Sequence, residues 1–393
     1  MRMRRKNFLV LIFLTLCLTT VALFFLRKPN SLTPAIIARS QLSLGDPARL
    51  YRVMDKARRG EPITIGFIGG SITKGQAASS EENSYANRVV QWWKEHFPKS
   101  NITTVNAGVD GTDSSYGVLR LQHDLLSKHP DFVVVEFGVN DHDDLAHAET
   151  YEGIVRQLLT DADQPAVLLL FLMHHDGTSA QDFQAEIGKQ YRLPMASYRD
   201  ALWPEIAAGR LKWSDITDGA IHPNDRGHAA AAAFVNSILQ KTLDQLPTTN
   251  LPEIRADLAP PRYTDLFDHT QVIDADLLKP VVNIGWSYDP RDRGWVSSTP
   301  GSSIEFDATG KVIDLMYARV APYSGTAEVS VDDCAPAICD AWFDGTWEGF
   351  CRVDQVARNP EGGTHRVRIK LLSTRNPLST GYEFRIMGLG LAK

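Results

Sequence analysis

The chain has 393 residues, 43% of them hydrophobic and 22% charged, which gives room for two or three domains with buried cores and excludes a disordered or collagen-like polymer. The first 28 residues carry six basic side chains (Arg2, Arg4, Arg5, Lys6, Arg27, Lys28) and no acid, and the 35 basic and 47 acidic residues that follow give the body a formal charge of −12. A net-acidic body argues against nucleic acid as a partner.

In chain order, the first feature is an apolar stretch from Phe8 to Leu26, 19 residues without charge or proline. At about 1.5 Å per helical residue it spans the hydrocarbon of a bilayer. Four basic side chains precede it and two follow. The positive-inside bias therefore predicts a signal-anchor over residues 1–28, its N-terminus cytoplasmic and the body outside. A cleaved signal peptide is the alternative; the run is long for one and lacks a small-x-small site. Both export the body.

From Asp46 to Leu246 the pattern alternates strand and helix. Strands are expected at 63–68, 103–106, 132–137, 166–173 and 195–198, and helices at 85–96, 114–128, 149–159 and 225–245. Continuous apolar strands between amphipathic helices predict an α/β domain over 45–246: a parallel five-stranded sheet covered on both faces. Such sheets place their sites outside the carboxyl ends of the strands. Residues 247–264, with Pro247, Pro252, Pro260 and Pro261, read as a linker or surface strap. Short alternating runs over 265–393, separated by Gly, Pro, Asn and Asp, predict an all-β sandwich. Cys17 lies in the apolar stretch; two of Cys334, Cys339 and Cys351 can pair in an oxidising compartment, and a zinc site is the weaker reading. Asn101-Ile102-Thr103 is a glycosylation sequon.

Four segments stand at strand ends or a helix entrance. Gly69-Gly70-Ser71-Ile72-Thr73 follows the first strand, Asn106-Ala107-Gly108 the second, and Gly138-Val139-Asn140-Asp141 the third. His222-Pro223-Asn224-Asp225-Arg226-Gly227-His228 opens the last helix. Each alone is ordinary turn chemistry or a structural histidine. Together, in this chain order, they resemble the four sequence blocks of the SGNH (GDSL-like) hydrolases, over roughly residues 60 to 240.

The resemblance implies a flavodoxin-like SGNH fold with Ser71 as nucleophile and His222 as its base. It implies an oxyanion hole from the backbone N–H groups of Ser71 and Gly108 and the Asn140 side chain. The chemistry needs such a set, because a neutral serine is a poor nucleophile until an imidazole takes its proton, and the tetrahedral intermediate needs aimed donors. No cofactor or metal is required. One departure concerns the acid. The family carries aspartate three residues before the histidine, where this chain has Gly219; Asp218 lies four before and Asp215 seven before. An extra residue in the turn would still bring Asp218 to the imidazole; otherwise a backbone carbonyl orients His222 in a dyad. The first block also has Gly70 where many members carry aspartate.

Other tempting residues are weaker. His174-His175-Asp176 follows the fourth strand and lines the crevice or, less readily, a metal. Trp92 and Trp93 fit a packed helix; Trp342 and Trp347 fit a sandwich core better than sugar stacking. The expected function is an exported serine esterase removing acyl groups, most simply O-acetyl, from a carbohydrate or cell-envelope glycan. The alternatives are a glycan O-acyltransferase, a lipid esterase or thioesterase, and a silent glycan-binding protein.

Overall fold

A computed structural model of the chain describes residues 32–393, apart from 256, 346–348 and 360. The apolar stretch Phe8–Leu26, Cys17 and Trp347 lie outside the described residues, and among the described ones no helix is long and apolar enough to cross a membrane.

The five expected strands form, as β2 (Ile63–Gly69), β3 (Ile102–Gly108), β4 (Phe132–Glu136), β5 (Ala166–Phe171) and β6 (Met195–Ser197). They pair in parallel in the order β3-β2-β4-β5-β6. A sixth strand, β1 (Gln41–Ser43), adds to the edge antiparallel to β6. It is preceded by α1 (Pro34–Ser40), so the α/β body begins about ten residues before the expected boundary at 45. β4 and β5 are buried at every position, which is why they read as unbroken apolar runs.

Helices cover both faces. One is packed by α1, α2 (Ala48–Arg58), α4 (Tyr85–His96), α8 (Tyr198–Ala207) and α9 (Asp225–Asp244); α3 (Ser71–Lys74) is the short helix leaving β2. Trp93 is fully buried here, and Trp92 nearly so. The other face is packed by α5 (Ser114–Asp124), α6 (Leu145–Thr160) and α7 (Gln181–Gln190).

Residues 247–264 are a strap, held at its end by one carboxylate. Glu152 of α6 is fully buried and accepts from the N–H groups of Arg262 (2.6 Å), Tyr263 (2.7 Å) and Thr264 (3.0 Å), and from the Tyr191 hydroxyl (2.7 Å). Leu258 and Tyr263 pack against the α5–α7 core. Substituting Glu152 by alanine leaves these donors unmatched, and a loss of roughly 3–5 kcal/mol is expected in the urea unfolding free energy. A loss below about 1 kcal/mol would mean that the strap is held by its apolar contacts instead.

The C-terminal part is the expected sandwich. One sheet contains β7 (Thr270–Asp274), β9 (Ser287–Asp289), β10 (Gly294–Ser297), β12 (Val312–Arg319), β15 (Phe350–Arg358) and β17 (Phe384–Ala392). The second runs β14 (Ala337–Asp340), β13 (Thr326–Val331), β16 (Thr364–Leu371), β11 (Ser303–Thr309), β8 (Val282–Ile284). Ile313, Leu315 and Tyr317 of β12 face the inter-sheet core, while Val312 and Met316 pack into the same core as α5 and α6. The first sheet is thus covered on both faces. Gly390 of β17 permits this, because a Cβ there would meet Leu119 Cδ1 of α5 at 2.3 Å. Across the same seam the Arg358 guanidinium holds both Glu149 oxygens, at 2.7 and 3.0 Å. Cys334, Cys339 and Cys351 are free thiols, so the pairing open to them is not formed.

Candidate active site

The order β3-β2-β4 puts the switch point of the sheet at β2, and the expected site residues gather at its carboxyl end. Ser71 is the first residue of α3, projected by the extended Gly70 at the helix mouth. Its N–H therefore has no acceptor within the helix. Its Oγ lies 2.8 Å from His222 Nε2, a distance at which a neutral imidazole accepts the serine proton. His222 stands in a turn closed by the Thr217–Pro223 bridge, directly before α9. Asn224 caps that helix, accepting from the N–H groups of Arg226 and Gly227. Burial lowers the pKa of His222, and the charge of Asp110 acts in the opposite sense. Asp110 is itself ion-paired with Lys74 of α3.

Asn140 sits in the loop after β4, its N–H bonded to Phe137 O at 3.1 Å. Its amide lies against Gly70, where a Cβ would fall 2.5 Å from Asn140 Oδ1. Gly70 in place of the family's aspartate thus leaves the space that the asparagine occupies. The loop is fastened from outside by His174, whose Nε2 donates to Val139 O at 3.0 Å. This, rather than metal binding, is what the structure gives His174. Among the described residues no group of three or more His, Cys, Asp or Glu is placed to hold a metal ion.

Two of the expected site residues have other partners in the structure. The Gly108 N–H is not free, because it donates to Asn106 Oδ1 at 2.9 Å, and Asn106 Nδ2 in turn donates to Thr73 O at 2.8 Å. Gly108 is small for packing: a Cβ would meet Lys74 N at 2.3 Å. Asp218 is not brought to the imidazole. Its N–H donates to His222 O at 3.4 Å, but its carboxylate accepts from Asn224 Nδ2 at 3.3 Å, and among the described residues no hydrogen bond joins that carboxylate to the His222 imidazole. Gly219, at φ +124°, takes up the extra residue of the turn in a conformation that glycine favours, and Asp215 turns away to accept from the Lys212 N–H. The second histidine of the block, His228, is fully buried; its Nδ1 accepts from the Tyr85 N–H and its Nε2 donates to Gln76 O.

Sequence reasoning missed the buried charges behind the site. Asp141, next to Asn140, accepts from the Ser114 N–H (2.8 Å) and Gln184 Nε2 (3.0 Å), and burial pushes its carboxyl up to about 7. Beside it Asp113 caps α5 and lies 3.6 Å from His147 and 3.7 Å from Arg352 of the sandwich. Burial opposes the charge on His147, yet Asp113, Asp141 and Asp144 hold its pKa at about 9. The adjacency of Asp141 to Asn140 was the available signal.

A doubly wound sheet with a serine and an imidazole in contact at its switch point is the architecture of a serine hydrolase. Residues 67–230 match the model of the GDSL-like lipase/acylhydrolase family. Over 91% of this chain and 98% of the other, the fold is similar, at 34% identity and a TM-score of 0.82, to the crystal structure of a two-domain esterase (CEX) active on acetylated mannans. The same esterase co-crystallised with mannopentaose gives a TM-score of 0.81. The chain is 25% identical over 199 residues, 49% of its length and 90% of the relative, to thioesterase 1/protease 1/lysophospholipase L1 of Escherichia coli (strain K12). The chain belongs to the GDSL-like lipase/acylhydrolase family and is a carboxylester hydrolase.

Proposed function

We propose that the protein removes O-acetyl groups from a mannan-type polysaccharide, outside the cytoplasm, through an acyl-enzyme on Ser71. The observation that carries the substrate is the likeness, through both domains, to an esterase active on acetylated mannans. The apolar segment 8–26 supports export and anchoring.

In this reading Ser71 Oγ attacks the acetyl carbonyl while His222 Nε2 takes its proton. The alkoxide of the tetrahedral intermediate is met by the Ser71 N–H and the Asn140 amide. Collapse expels the sugar oxygen, which receives the proton back from His222, and leaves acetyl-Ser71. Water, giving its proton to His222, then attacks the acetyl carbon; collapse breaks the bond to Ser71 Oγ, which recovers that proton from His222, and acetate leaves. The Asp110 charge, not Asp218, favours the imidazolium.

The test is acetate release from acetylated glucomannan and acetylated xylan by the full-length protein, with Ser71→Ala as control. Release from the mannan at a kcat/KM at least about tenfold above xylan is expected, a difference of about 1.4 kcal/mol in transition-state binding. Equal rates on both would remove the mannan assignment. Acetyl transfer to added mannan oligosaccharides in place of acetate release would make the protein a transferase.

A further inference from the structure

Glu136 ends β4 and is fully buried. Its Oε1 accepts from the Gly138 N–H at 2.9 Å, the entry to the loop that presents Asn140. Its Oε2 meets no donor among the described residues. Opposite it in the β2–β4 pairing is Gly69, two residues before Ser71.

The surroundings supply no compensating charge. β2 and β5 contribute no titratable side chain. From α3 comes Thr73, whose hydroxyl is shared with the Tyr85 hydroxyl of α4 at 2.8 Å. From α6 comes Tyr151, buried, its hydroxyl without a hydrogen-bond partner among the described residues. From α5 comes Arg120, whose terminal nitrogens are committed to the carbonyls of Gly69 and Ala107 and to Asp124. The loop itself brings Asp141, a second buried acid. A carboxylate with one bare oxygen in such a place is costly, and it is relieved by keeping its proton. Burial pushes the Glu136 carboxyl up to about 8, with the charge of Asp141 adding to it, against the opposing hydrogen bonds of the Gly138 N–H and the Thr73 side chain.

We propose that Glu136 is a positioning residue that works as a neutral carboxylic acid, holding the Asn140 loop through Gly138 while keeping negative charge away from the oxyanion pocket. The inference rests on the serine-esterase reading. The bond to Gly138 survives ionisation, but the charge then formed opposes the alkoxide of the intermediate. Activity therefore declines on the alkaline side for a reason separate from His222. A glutamine in this position keeps the acceptor and is never charged.

The experiment measures kcat/KM on p-nitrophenyl acetate from pH 5 to 10 for the full-length protein, Glu136→Gln, Glu136→Leu and Ser71→Ala. The parent is expected to lose about tenfold by pH 10, with a midpoint near 8. Glu136→Gln should stay within about threefold of the parent at pH 7 and lack that midpoint. Glu136→Leu should lose about tenfold in kcat with KM little changed, because the Gly138 N–H has lost its acceptor. A Glu136→Gln protein that retains the alkaline midpoint, falls more than about thirtyfold at pH 7, or does not fold would overturn the inference. These failures leave the esterase reading standing if Ser71→Ala is inactive; activity surviving in Ser71→Ala overturns both.

Discussion

Replacing His222 by alanine is expected to lower kcat/KM by about 10⁴-fold or more, the largest effect of any substitution outside Ser71. In the proposed mechanism the 2.8 Å contact of its Nε2 with Ser71 Oγ makes it the group that takes the serine proton, and a serine without a base keeps little nucleophilicity. The neutral imidazole is the working form. Burial favours that form and moves the pKa of His222 below its ordinary 6.5, with Asp110 pulling weakly the other way. The acid limb of kcat/KM therefore has its midpoint below pH 6.5, and more than half of the plateau activity remains at pH 6.5. Asp218→Asn supplies the contrast. Because that carboxylate accepts from Asn224 and not from the imidazole, activity within about threefold of the parent and an unmoved acid limb are expected. A loss of about 10³-fold or more on Asp218→Asn would show that the turn rearranges to bring the acid to His222 during the reaction.

The hydrolase half was legible because its central strands β2, β4 and β5 are buried almost throughout, and because the blocks that close β2, β3 and β4 carry residues with a visible task. Val133, Val134 and Val135 of β4 have no exposed face, so the strand reads as an apolar run, and the run points at Gly138 and Asn140. The same double burial hid what happens in the sandwich. β12 is buried from Val312 to Tyr317 because one side meets the inter-sheet core and the other meets α5, and no alternation of the sequence separates those two neighbours. β1 was illegible for the opposite reason: three residues, Gln41, Leu42 and Ser43, carry no period, and the strand exists because β6 offers it an edge. The Gly108 N–H and the Asp218 carboxylate share one lesson. A block of sequence places a residue at the right strand end, but which partner its polar atoms choose is settled by neighbours, here Asn106 and Asn224, within a few residues of them in the chain. Glu136 and Asp141 were unreadable as buried acids, because a carboxylate at or just after a strand end looks exposed until the helices that bury it are placed.

Asn140→Ala is expected to lower kcat by about 10²–10³-fold, close to 3–4 kcal/mol of transition-state stabilisation, with KM changed by no more than about threefold. The reasoning starts from donors. The tetrahedral alkoxide needs hydrogen bonds that the planar ester needs less, so their loss falls on kcat. The family pattern supplies three donors, but in this chain the Gly108 N–H is already given to Asn106. In the proposed mechanism the Ser71 N–H and the Asn140 amide are left to share the charge, so removing one of two places the effect toward the upper end of that range. Asn140→Asp is the sharper variant. It keeps the size of the side chain, and with it the contact against Gly70, but puts a negative charge where the alkoxide forms. It should therefore be at least as inactive as the alanine form while unfolding at a similar temperature. If Asn140→Ala costs less than about fivefold, the oxyanion donor lies elsewhere. The first alternative is then the Gly108 N–H, released by a turn of the Asn106 side chain.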